Sequence, residues 1–80
     1  MKKKSLSITH SPWPIWIRND GSVVSCLEKI KVMNENMDEI SALAQDALED
    51  GLLMEISEGQ IRLALHNLVD RLVNRYQKCN

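Results

Sequence analysis

Two apolar stripes at helical spacing, separated by a short connector, constrain this chain to a helical hairpin more strongly than anything else in it. Met37, Ile40, Ala44, Ala47 and Leu48 recur on one face with Leu43 beside them. Asp38, Glu39, Ser41, Ala42, Gln45, Asp46 and Glu49 cover the opposite side, the separation that an amphipathic helix requires. Ile61, Ala64, Leu65, Leu68, Leu72 and Tyr76 make the second stripe, flanked by Val69 and Val73. Gly51 reads as the C′ residue that ends the first of these helices. Ser57 and Gln60 have capping-box spacing ahead of the second. Leu52, Leu53, Met54 and Ile56 form an apolar connector expected to tuck against the core. So short a link predicts that the two helices run antiparallel.

Upstream the pattern is less uniform. Ser25 and Glu28 also have capping-box spacing, and Cys26, Ile30 and Met33 carry a helical stripe with Leu27 at its edge. Asn34-Glu35-Asn36 interrupts that stripe with weak helix formers, and Asn36 with Glu39 offers a fresh cap. The sequence therefore predicts a kink or a new start there, with one continuous helix from Cys26 to Asp50 as the competing arrangement. Before this region, Trp13, Ile15 and Ile17 alternate at strand period. Asn19-Asp20-Gly21 then supplies residues that tolerate positive φ, and Ser22-Val23-Val24-Ser25 can return. A β-hairpin is expected, its register open between a two-residue Asp-Gly turn and a three-residue turn with a bulge. Pro14 cannot donate to a ladder, which places the first strand on an edge.

The expected fold class is thus mainly α: a short N-terminal β-hairpin followed by two or three helices, the last two forming an antiparallel helical hairpin. Residues 1–11 read as a flexible basic tail, and 12–80 as a single small helical domain. A chain of 80 residues buries only roughly 60–65% of the surface it exposes when unfolded. A core of that size rarely supplies more than about 3–5 kcal/mol, so a chain this short calls for well-made helices, a staple or a partner. Phe is absent and Tyr76 is the one tyrosine, leaving Trp13 and Trp16 as the largest side chains available. Each can bury about 150–250 Å². They are expected to close the core over the helices, the rival being an exposed Trp-Pro arm that grips a partner.

Composition excludes several classes. The two cysteines, Cys26 and Cys79, do not make a disulfide framework, and the stretch after Met1-Lys2-Lys3-Lys4 lacks the apolar region of an export signal. No apolar run approaches the ~18 residues of a membrane span. A cytoplasmic protein with free thiols is expected. His10, Cys26, His66 and Cys79 lack the spacing of a zinc site, and the acidic residues lack EF-hand spacing. No serine or cysteine is matched with a base and an orienting acid, so neither a cofactor nor an enzymatic activity is expected. His66 reads as a surface histidine bonded to Asp70, and Cys26 as a small buried side chain.

Charge is the most informative feature. Residues 1–32 hold six Lys or Arg against two acids, 33–58 hold eight acids and no Lys or Arg, and 59–80 hold four basic residues against Asp70. Asp46, Glu49 and Asp50 crowd one stretch near the negative end of a helix dipole, an unfavourable arrangement on both counts. Arg71 and Arg75 on the antiparallel neighbour are expected near Glu35, Asp38 and Glu39, so two accounts of the acidic helix compete: intramolecular neutralisation on a solvated face, or a docking surface for a basic partner or a second copy. The expected function is a small interaction or assembly module, its candidate surface comprising Trp13, Trp16, Asp46, Glu49, Asp50, Arg62, Arg71 and Arg75. Its partner would be a protein or the chain itself. A helix-turn-helix-like nucleic-acid-binding protein is the alternative. It is weakened by the long spacing from Gly51 to Ile61, and by a last helix that opens Glu58-Gly59-Gln60 with Arg62 as its one early cation.

Overall fold

The structure, a computed structural model, describes residues 11–76. The flexible tail expected over 1–11 falls outside that range apart from Ser11, as do Lys78 and Cys79. Two helices make up the regular structure, α1 over Leu27–Leu53 and α2 over Glu58–Asp70. They form a helical hairpin, as the two stripes predict. The chain divides into two compact units whose boundary, between Ser41 and Ala42, falls inside α1.

In the N-terminal unit the expected β-hairpin is not formed as a pair of strands. One isolated antiparallel bridge, Ile17 with Val23, is all that the described residues contain. The turn chemistry is nevertheless the predicted one, and it selects the three-residue alternative. The Gly21 N–H donates to the Arg18 carbonyl at 2.9 Å, the Arg18 N–H donates to the Ser22 carbonyl at 2.8 Å, and Gly21 takes φ 91°. Only glycine adopts that backbone readily. The Asp20 carboxylate tightens the turn by accepting from both the Ser22 hydroxyl (2.6 Å) and its N–H (2.9 Å), which holds its pKa below the usual value. One more rung, Val24 N–H to the Trp16 carbonyl at 2.9 Å, ends the ladder. Pro14 has no N–H to extend it on one side, and on the other the chain enters α1.

α1 runs through Asn34-Glu35-Asn36 without interruption, so the predicted break is absent and the continuous alternative holds. Its start also differs from the expected Ser25 cap. Leu27 is the first helical residue, and Cys26 occupies the capping position, its carbonyl accepting from the Ile30 N–H at 3.0 Å.

In the C-terminal unit Gly51 does not end α1 but lies within it, and it is the buried residue of that helix. The helix stops two residues further on, and Glu55 in the turn that follows takes φ 66°. The Ile56 N–H reaches back to the Gly51 carbonyl at 3.0 Å and the Glu55 N–H to Leu52 at 3.0 Å, the two bonds of a Schellman cap with Glu55 at the left-handed position. Ser57 caps α2 as predicted, its hydroxyl accepting from the Gln60 N–H at 3.0 Å. α2 ends at Asp70 with Arg71 as its C-cap, so Leu72 and Tyr76 of the predicted stripe lie beyond the helix, Tyr76 at 94% exposure. Among the described residues no hydrophobic side chain is fully buried. Leu52, Leu53, Met54 and Ile56 stand exposed, against the expectation that the connector tucks inward.

Candidate functional site

The N-terminal unit is held together by its two tryptophans. The Trp13 indole N–H donates to Asp38 Oδ1 at 2.7 Å and that of Trp16 to Asn34 Oδ1 at 2.8 Å. Asn34 and Asp38 are four residues apart and share one face of α1. Both tryptophans are half-buried, intermediate between a core plug and an exposed arm. Propensity marks Asn34 as a helix breaker; its amide is instead the acceptor that fixes Trp16. Beside this latch an open groove of about 490 Å³ is lined by Trp16, Val24, Glu28, Lys29, Val32 and Met33.

Cys26 is exposed rather than buried. The backbone N–H groups of Lys29 and Glu28 at the start of α1 favour its thiolate and lower the thiol pKa, with the charges of Lys29 and Arg18 assisting. A thiolate is the better acceptor for those orphan donors. Because the folded pKa lies below the unfolded one, this cap stabilises the helix above the unfolded value and is lost as pH falls through the folded value. In a Cys79→Ser background, alkylation of Cys26 is therefore expected to rise at lower pH in the native chain than in the same chain in urea. Coincident pH–rate profiles would show that the cap has no such effect.

In the C-terminal unit a second groove, of about 510 Å³, lies between the end of α1 and α2. Ala47, Gly51, Ile61 and Ala64 line it, with Asp50 and Gln60 at its polar edge. The signal for it in the sequence is the small residues at 47 and 51, one turn apart, which let another helix approach closely. Asp50 is thus the member of the predicted acidic surface that borders a concave apolar site. Glu49 accepts from the Gln45 side-chain amide at 2.8 Å, along its own helix. Arg62 is engaged by Glu58, with Nη2 at 2.8 Å in an exposed i,i+4 pair. The other ion pair among the described residues is Lys31 with Glu35, at 2.8 Å. Asp46 and Asp50 have no ion pair among the described residues, and neither have Arg71 and Arg75. His66 lines a shallow hollow with Arg62, Leu65 and Val69, and the described hydrogen bonds do not include one from it to Asp70.

Among the described residues no cluster of three or more His, Cys, Asp or Glu side chains is placed to hold a metal ion, and no helix is long and apolar enough to cross a membrane. Comparison with protein-family models, curated proteins and solved structures finds no match to this chain.

Proposed function

We propose that this chain is a non-catalytic interaction or assembly module, acting in the cytoplasm, whose helices are completed by another protein surface. The observation that supports it is the lack of a fully buried hydrophobic side chain among the described residues, alongside exposed Leu43, Leu53, Leu63 and Leu68. Contiguous exposed apolar surface marks association sites, and here it is the apolar groove of the C-terminal unit, with Leu43 one turn before Ala47 on α1 and Leu68 one turn after Ala64 on α2. Asp50 at the edge of the groove in the C-terminal unit, with Asp46 one turn before it on α1, adds polarity and direction to that surface. The nucleic-acid alternative draws no support from α2, whose first acid, Glu58, already engages Arg62. The test is the unfolding of the chain at high dilution, followed by circular dichroism and amide hydrogen exchange. The expected result is a broad, weakly cooperative transition that sharpens and moves upward over about a hundredfold rise in protein or partner concentration. A sharp, concentration-independent transition of a well-protected monomer would overturn the proposal.

A further inference from the structure

Resting on that reading, we propose that the partner is a second copy of this chain, bound across the groove between α1 and α2 in an antiparallel two-fold arrangement. Asp46 and Asp50 of each copy then face Arg71 and Arg75 of the other. The groove supplies the apolar centre. Ala47 and Gly51 on α1 and Ala64 on α2 keep it shallow-walled. Leu43, 70% exposed and four residues before Ala47, and Leu68, 55% exposed and four residues after Ala64, extend it along both helices. Helical spacing puts all of them on the side that the groove opens.

Charge complementarity selects the occupant and its direction. Residues 42–58 carry five acids and no Lys or Arg, whereas residues 59–76 carry Arg62, Arg71 and Arg75 with Asp70 as the one acid. Asp50 borders the groove at the connector end, and Asp46 stands one turn before it on the same face. Arg71, the C-cap of α2, lies seven residues after Ala64, two turns along the groove side. The 13 residues of α2 separate the acidic end from the Arg71 end by about 20 Å. A two-fold interface makes every contact twice, residue i meeting j and j meeting i. With connector ends together, the acids of both copies would confront each other. Turned end for end, each acidic pair meets an arginine pair, and both uncompensated clusters are satisfied at once.

Sedimentation equilibrium of the parent, of Asp46→Lys/Asp50→Lys and of Arg71→Glu/Arg75→Glu, alone and as an equimolar mixture, tests this. The parent is expected to dimerise. Each variant alone, confronting like charges, should bind itself at least about tenfold more weakly, and the mixture should recover parental affinity as a heterodimer. Recovery on mixing cannot arise from misfolded variants. Variants that dimerise as the parent does, or a mixture that stays dissociated, would overturn the arrangement. A monomeric parent that is weakly cooperative at dilution would assign the groove to a different protein and leave the interaction reading standing. A monomeric parent that is stably folded would remove both.

Discussion

Replacing Trp16 with alanine is expected to release the segment from Pro12 to Ser25 from α1 and to expose Trp13 to solvent. A fully buried tryptophan would cost about 3–5 kcal/mol on truncation. Trp16 is only partly exposed, so most but not all of its apolar area is at stake, together with the bond to Asn34 Oδ1. The expected loss is about 2–3 kcal/mol in the N-terminal unit. The backbone on either side offers little substitute, because a single bridge holds the turn and Pro14 cannot donate. Trp16→Phe separates the two contributions. It keeps most of the ring, removes the donor, and should cost about 1 kcal/mol. Trp13 emission and amide exchange in the first turns of α1 report the outcome. If both are the same in Trp16→Ala as in the parent, the tryptophan latch does not hold this unit together.

That latch illustrates what a sequence of this kind discloses. Features decided within four residues are legible. Ser57 caps α2 where the capping-box spacing puts it, and Asn19-Asp20-Gly21 makes a turn because glycine at φ 91° needs no tertiary help. Features decided at longer range are not. Asn34 and Asn36 are weak helix formers, but propensity differences of a few tenths of a kcal/mol yield to a helix extending both ways and to an indole bond from eighteen residues upstream. The alternation from Trp13 to Ile17 promises a strand, yet the hydrogen bonds that hold this segment go from the indoles to α1. Cys26 falls within an apolar stripe in sequence, and a shift of the helix start by one residue turns it into the cap. Of the candidate surface, the clustering of acids and bases is plain from sequence. Which charges already have partners is not: Arg62 is engaged, whereas Arg71 and Arg75 have no ion pair among the described residues. The groove escapes a hydropathy reading because Ala47, Gly51 and Ala64 in its lining are small and Asp50 and Gln60 are polar, so five of its eight residues carry little signal of that kind.

Gly51 is where this ambiguity has its largest consequence. A glycine near the end of an apolar stripe is most simply a terminator, and the left-handed residue that performs that role here is Glu55. Gly51 sits instead inside α1, where glycine costs about 0.5–1 kcal/mol relative to alanine. What offsets that cost is the close approach of α2: a Cβ at position 51 would stand 2.5 Å from Ile61 Cδ1 and 3.1 Å from Cγ1. Gly51→Ala should therefore be nearly neutral, since better helix propensity is set against turning the flexible tip of Ile61. Gly51→Leu adds further carbons that no rotation of Ile61 can clear. It is expected to push α2 off α1 and to destabilise the C-terminal unit by about 1–3 kcal/mol. Ile61→Ala alone should also destabilise, by removing the side chain that covers the glycine. Combined with Gly51→Leu it restores space in the same place, so the double variant should be more stable than the sum of the two losses predicts. Thermal unfolding of the parent, the two single variants and the double variant closes the cycle. A coupling below about 0.3–0.5 kcal/mol would mean that positions 51 and 61 act independently, and that the glycine is not there to admit α2.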